Sequence, residues 1–444
     1  MRPEIGLPND QSSLHEPARR SPLAHVAPRH EGAIVPLPGP LCASTLALLP
    51  GEELAASRRR GGRFRVTGKP ERADGMKRET KIGLIVNASA SRDVRRLTSL
   101  ARTIDVHERV NAAARVLRGL AAGHVRTVLF MPEPAHVVER AVDMLAAAGF
   151  SLDGSAGLRL RAVELPDGPE AIDAAATASA ATAMAEAGAV CLVTIGGDGT
   201  NRAVASGWPS AVIVPLPGGT NNAFCGPIDP TAAGLAAGVY ASNPERYAVH
   251  VRQAPRLEVR FDGRLEATAI ALVDVALVRA GWVGAHALWD PALLVEAVVA
   301  RSDPALTGLA GLGGMISPLD AEPPRALHVR FGPTGSTVTA PLGPGQLVPV
   351  GIRDWRVLAL GESVGLGEST PAGDRPTPGD RGPASSDEDG RLTLAFDGER
   401  EVVLEPGVIA HVSLTADGPG VLDAHLLLQA AARRGAFAGT GAIR

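Results

Sequence analysis

The stretch Ala189-Val-Cys-Leu-Val-Thr-Ile-Gly-Gly-Asp-Gly-Thr200 decides the fold. Residues 189–195 form an apolar and β-branched run that stops at a glycine turn. Such a run predicts a strand covered on both faces, as in a parallel α/β sheet. Gly196, Gly197 and Gly199 permit a sharp turn and close approach of a ligand to the backbone. A helix starting there would offer unpaired N–H groups and its positive end to a phosphate. Asp198 stands in the turn. A carboxylate at that place can orient or deprotonate a hydroxyl, or hold magnesium. Taken alone, Gly-Gly-Asp-Gly also suits a plain strand-to-helix loop.

About twenty residues on, Ala211-Val-Ile-Val-Pro-Leu216 reads as a second buried strand, followed by Pro217-Gly-Gly-Thr-Asn-Asn222. Gly218 and Gly219 make the turn, and Thr220, Asn221 and Asn222 supply short polar side chains at the start of an expected helix. One of the three would serve as its N-cap. Two such loops at the C-terminal ends of strands converge on one crevice, where open α/β sheets bind ligands. Upstream, strands are predicted at 81–87, 127–131 and 158–165, and helices at 109–122, 135–148 and 169–187. The first strand ends in Asn87. The alternation predicts a Rossmann-like parallel α/β domain over residues 80–225.

From about 245 the period changes to two. Arg256–Phe261 alternates, Asp262-Gly263 is a hairpin turn, and 265–278 continues as strand. A helix is expected over 291–301, and strands over 326–331, 336–341 and 355–360. Residues 361–390 are polar and rich in Gly and Pro, the composition of a flexible insertion. Strands at 391–396 and 401–404 flank Asp397-Gly398. Residues 226–420 are thus expected to form a mainly antiparallel β domain, with 421–444 packing back on the first. At the hairpin tip, Asp397 and Glu399 could bring two carboxylates against the site of the first domain, unless Asp397-Gly398 is an ordinary turn.

Composition narrows the chemistry. At about 100–200 residues per domain, 444 residues hold two to four. The net charge of −3 argues against a domain-wide nucleic-acid footprint. The only lysines are Lys69, Lys77 and Lys81. Schiff-base chemistry and a P-loop or protein-kinase lysine are therefore excluded from the body of the chain. Phosphate charge must be offset by backbone N–H groups, magnesium and arginines, for which Arg92, Arg95, Arg96 and Arg202 are candidates. Three scattered cysteines, Cys42, Cys191 and Cys225, form neither a zinc pattern nor a disulfide framework. No apolar run reaches membrane-spanning length and no signal peptide is visible, which gives a cytoplasmic expectation. Residues 1–79, rich in Pro and Arg, read as a disordered tail. A basic arm for an anionic partner is the alternative, as is translation starting at Met76.

Gly196-Gly-Asp-Gly-Thr200 resembles the signature shared by NAD kinases, diacylglycerol kinases and related lipid kinases. Pro217-Gly-Gly-Thr220 with Asn222 resembles the lipid-kinase loop, with Asn221 in place of Gly and Ala223 in place of Asp. Ala271–Leu277 resembles the NAD-kinase strand that carries an Asn-acid pair, with Val273 for Asn and Asp274 kept. A narrower resemblance is to the acetoin catabolism protein X family of ATP-NAD kinase-like proteins. It rests on residues 82–87, Arg92-Asp-Val-Arg-Arg96, the two glycine loops, Val283-Gly284 and Ala287-Leu-Trp-Asp290. His286 and Trp289 of that segment read as surface or packing residues. The resemblance implies an ATP- and Mg2+-dependent kinase, with NAD the expected acceptor. A lipid or small-polyol hydroxyl is the enzymatic alternative, and a non-catalytic dinucleotide-binding regulator the other. It assigns Asp198, Asp397 and Glu399 to catalysis. It assigns Asn87, Gly196, Gly197, Gly199, Thr200, Gly218, Gly219, Thr220, Asn221, Asn222 and Asp274 to nucleotide binding. NAD kinases commonly form homo-oligomers, so one is implied here too.

Overall fold

The computed structural model describes residues 79–87, 105–150, 152, 157–168, 172–219, 222–262, 269–279, 291–320, 322–367, 392–398 and 400–437. All belong to the unit Gly75–Arg444. The expected tail, with Met76, lies outside them, as do Arg92, Arg95, Arg96, Thr220, Asn221, Gly263, His286, Trp289 and Glu399.

The parallel layer is built from β1 (Lys81–Val86), α1 (Val106–Ala122), β2 (Thr127–Phe130), α2 (Val137–Ala147), β3 (Arg159–Ala162), α3 (Ala174–Glu186), β4 (Leu192–Gly196), α4 (Asp198–Gly207), β5 (Val212–Pro217) and α5 (Pro230–Ser242). β1 to β5 pair in parallel in the order β3-β2-β1-β4-β5. Both faces are covered. Ile82, Leu84, Val193 and Ile195 pack against Val110 and Leu117 of α1, Val138 of α2 and Ala236 of α5. Ile85, Leu129, Leu192 and Ile213 pack against Ala180 and Met184 of α3 and Val204 of α4. Continuous burial on both faces is why these strands read as unbroken apolar runs.

This layer reaches past residue 225. α5 packs on the same core as α1, and β6 (Val251–Gln253) is an edge strand of the same sheet. No helix opens directly after Gly218-Gly219; residues 222–229 are turn and extended chain until Asp229 caps α5. α1 and α5 meet along glycines. A Cβ on Gly119 would lie 2.1 Å from the Thr231 carbonyl oxygen, and one on Gly234 would lie 2.2 Å from that of Val116.

The second half is antiparallel. β7 (Arg256–Phe261) pairs with β8 (Ala269–Ala271). The predicted 265–278 strand is divided: Leu272 and Val273 leave the ladder, and β9 (Asp274–Arg279) joins another sheet. The expected helix at 291–301 is instead a short 3-10 turn and β10 (Leu294–Val299), buried at every position. A short apolar run buried on both faces has no period that separates helix from strand; here β-branched valines in a central strand decide. α6 (Leu309–Ile316) follows. Residues 326–331 and 336–341 are one bulged strand, β11 (Arg325–Gly343), paired with β12 (Gln346–Ala359). The expected insertion begins with β13 (Ser363–Leu366), and the rest of it lies outside the described residues.

β14 (Leu392–Phe396) and β15 (Arg400–Leu404) complete a six-stranded sheet in the order β12-β11-β10-β9-β14-β15. β16 (Ala410–Thr415) joins β13, β7 and β8 in a four-stranded sheet. Leu277, Val298, Leu394 and Phe396 of the larger sheet pack on Leu257, Val259, Val412 and Leu414 of the smaller. β17 (Gly420–Leu422) then returns to the first sheet, parallel to β5 and antiparallel to β6. α7 (Ala424–Arg433) buries Leu427 in that sheet's core. No helix of the described residues is long and apolar enough to cross a membrane.

The α1–α5 seam makes a prediction against propensity. Ala is about 1 kcal/mol better than Gly inside a helix. Gly119→Ala and Gly234→Ala should nevertheless each lower stability by about 1–3 kcal/mol, because the added methyl pushes on backbone. Urea unfolding followed by circular dichroism measures it; unchanged midpoints would show that the helices separate freely.

Candidate active site

Strand order reverses between β1 and β4, since the chain moves from β1 to β2 and β3 on one side and to β5 on the other. A crevice opens at the C-terminal ends of strands at such a point. Asn87 follows β1 and the glycine turn follows β4 there. The Asn87 amide Nδ2 donates to Thr200 Oγ1 at 2.8 Å, spanning the switch point.

α4 begins at Asp198, with Gly197 as its N-cap and no side-chain cap. By contrast, Asp105, Asp173, Asp229 and Asp423 each cap their helix with a carboxylate. The first N–H groups of α4 have no carbonyl one turn back. Its own first-turn acid, Asp198, bonds to the N–H groups of Ala223 and Phe224 instead of capping the helix. Inside the turn, Thr194 Oγ1 donates to Asn201 Oδ1 at 2.7 Å, and Asn201 Nδ2 donates to the Gly197 carbonyl at 3.0 Å. Thr200 folds back so far that a Cβ on Gly196 would lie 2.5 Å from its Oγ1.

The second glycine loop sits against the first. Gly218 N–H donates to the Gly196 carbonyl at 3.0 Å, and a Cβ on Gly218 would lie 2.7 Å from Gly196 N. Asn222 Oδ1 accepts from the N–H groups of Gly218 and Gly219 at 3.2 and 3.0 Å, and its Nδ2 donates to the Gly219 carbonyl at 2.8 Å. It is a turn-forming residue, not a helix cap. Arg109 of α1, fully buried, donates from Nη2 to the Gly218 carbonyl at 3.2 Å.

Asp198 joins the two loops. Its side chain is buried, and it accepts from Ala223 N–H at 3.0 Å and Phe224 N–H at 2.8 Å. Burial lifts its carboxyl from 3.8 to about 7. The two N–H donors hold that rise back, the neighbouring Asp397 adds to it, and Arg301 opposes it. The Cys225 thiol is pushed up by burial, with Asp198 adding to it.

Asp397 reaches the same region from the antiparallel half. It sits at the β14–β15 tip with φ 49°, followed by Gly398 at φ 71°. Its carboxylate is buried and accepts from the N–H groups of Leu272, Val273 and Asp274, the shortest at 2.8 Å. This is why residues 272–273 leave the ladder: a side chain takes the donors that a strand would use. Arg202 of α4 lies 3.6 Å away, Nε to Oδ2. Burial raises the Asp397 carboxyl, and Arg202 and the three N–H donors oppose that. Asp274 holds its place by backbone, its carbonyl accepting from Asp397 N–H at 3.0 Å.

The structure therefore brings Asn87, Gly196, Gly197, Asp198, Thr200, Gly218 and Asn222 together. It sets Asp397 and Asp274 on the facing edge. Arg202, expected among the phosphate-facing cations, is buried beside Asp397. Two arginines escaped the sequence reading. Arg109 carried a signal, because it falls on the apolar stripe of α1 beside Val110 and Ala113. Arg301 carried none, because it follows a strand that reads as a helix. Its Nη1 donates to the Ala223 carbonyl at 2.7 Å and its guanidinium lies 4.8 Å from the Phe224 ring centroid.

Residues 255–372 match the family described as acetoin catabolism protein X C-terminal domain. The acetoin catabolism protein X of Cupriavidus necator is 30% identical over 286 residues, which cover 63% of this chain and 78% of that protein. Yeast NADH kinase, solved with NADH, aligns over 82% of this chain and 90% of its own at 13% identity, with a TM-score of 0.43. A candidate diacylglycerol kinase from Bacillus anthracis aligns over 77% of this chain and 96% of its own at 12% identity, with a TM-score of 0.35.

The Asp397 geometry makes a prediction. Asp397→Ala strips three backbone donors of their acceptor, leaves the Arg202 charge buried and keeps a strained φ. It should cost about 3–5 kcal/mol in urea unfolding. Asp397→Asn keeps an acceptor oxygen and tolerates the left-handed backbone, so its loss should be clearly smaller. Equal losses would mean that the carboxylate's charge alone matters.

Proposed function

We propose that this chain, which belongs to the acetoin catabolism protein X family, is an ATP-dependent phosphotransferase acting on a hydroxyl group, with NAD as acceptor. The observation that carries this reading is the start of α4. There an N-terminus without a capping side chain and a buried carboxylate of value about 7 occupy the same turn, at the topological switch point.

The backbone N–H groups from Asp198 to Thr200 suit phosphate oxygens. No lysine follows residue 81, and this terminus is the kind of donor that replaces one. Asn87 and Thr200 fix the crevice wall by their shared hydrogen bond, with the Gly218–Gly219 backbone opposite. ATP would supply the phosphoryl group. Magnesium would accompany ATP and offset the charge of its phosphates. Asp198 orients the acceptor hydroxyl and takes its proton, a task for which a value near neutrality is suited. Asp397 keeps Arg202 and the 272–274 turn in register beside it. Kinship with an acetoin catabolism protein X supports a link between the reaction and acetoin catabolism.

A lipid or polyol acceptor is the enzymatic alternative, motivated by the Pro217-Gly218-Gly219 loop. A non-catalytic dinucleotide-binding regulator is favoured by one observation: both Asp198 oxygens already accept a backbone N–H.

Turnover of ATP with magnesium over a panel of NAD, diols and diacylglycerol decides among these. Transfer to NAD is expected; nucleotide binding without transfer to any acceptor would establish the regulator. Asp198→Asn should lower turnover at least about 100-fold. The wild-type rate should rise with pH through about 7. The stability sign is opposite. The folded value of about 7 lies above the ordinary 3.8, so the contribution of Asp198 to folding is full below 3.8 and is lost as pH rises to about 7. Asp198→Asn should therefore flatten the stability-against-pH curve in that window while leaving the fold intact. Near-normal turnover in the variant would remove Asp198 from the mechanism.

A further inference from the structure

We propose that Arg301 is a positioning residue for Asp198, acting from the antiparallel half through a single peptide group of the parallel half. The inference rests on Asp198 being the reactive carboxylate. The carbonyl of Ala223 and the N–H of Phe224 belong to one peptide. Arg301 Nη1 donates to its oxygen at 2.7 Å, and its N–H donates to Asp198 Oδ1 at 2.8 Å. A peptide bound by a cation at one end polarises and becomes a stronger donor at the other. The guanidinium also covers the Phe224 ring, so the same arginine fixes the next side chain. Phe224 and Ala223 lie in an apolar cluster with Leu272, Val273 and Ala310, which excludes water from the relay. The cation thus reaches the carboxylate through the peptide rather than by a direct bond.

The charged groups around the pair are few. Asp198 feels Asp397 and Arg301, and Cys225 lies close by. Arg301 feels Asp198, Arg252, Cys225 and Asp303, and burial lowers its own value. Arg202 is engaged with Asp397. Among these, Arg301 is the cation that opposes the upward push on Asp198.

The test reads the carboxylate itself, without any acceptor. The full chain is labelled at Asp 13Cγ, and Asp198→Asn assigns the resonance. In Arg301→Met the Asp198 midpoint should move up from about 7 by about one pH unit. Arg301→Lys, which keeps a charge and a donor, should restore much of it. If Arg301→Met fails to fold, Arg301→Gln keeps a donor, removes the charge and should show the same rise. An unchanged midpoint in a folded, charge-removing variant overturns the inference. A shifted midpoint in a protein that transfers phosphate to no acceptor upholds the relay while the kinase reading fails. Where transfer is measured, the pH limb of kcat should follow the midpoint and KM for ATP should stay put.

Discussion

The carboxylate of Asp198 is the interaction on which the site depends. It is buried at the first residue of a helix and satisfied by the N–H groups of Ala223 and Phe224, 25 and 26 residues away. That pair of bonds presses the segment after the second glycine loop onto the first, and the Gly218–Gly196 backbone bond continues the contact. The cost is a charge held out of water, which is why its ionisation moves toward neutrality. A group that only braced two loops could be neutral and cheaper, as Asn222 is within its own turn.

The two halves of the molecule answer each other across this region with an arginine each. Arg202 leaves the parallel half for Asp397, and Arg301 leaves the antiparallel half for the Ala223 carbonyl. Among the described residues, both arginines are engaged by protein groups in this region. In a chain with no lysine after residue 81, these buried side-chain cations set the geometry of the region.

Much of the parallel half was legible because its signals are local. Strands buried on both faces read as apolar runs, and Asn87 and Gly196–Thr200 fall where such strands end. Asp397-Gly398 was legible as a turn because both residues must take positive φ. The antiparallel half was harder. Leu294–Val299 has the length and apolarity of either a strand or a buried helix turn, and only its place between β9 and β11 makes it a strand. Leu272 and Val273 look like strand, but a carboxylate more than 120 residues away in sequence takes their N–H groups.

The sequence by itself determined that a parallel sheet would end in two glycine loops, that Asp198 would stand in the first, and that no lysine would follow residue 81. Each is a matter of residues adjacent in the chain, where sterics and short-range hydrogen bonding act. Tertiary structure alone decided what those residues face. The value of Asp198 near 7 comes from burial and from Asp397, and its hold comes from a peptide that Arg301 grips from 78 residues beyond Ala223. Burial and Coulomb interaction depend on distance in space, which no spacing along the chain encodes.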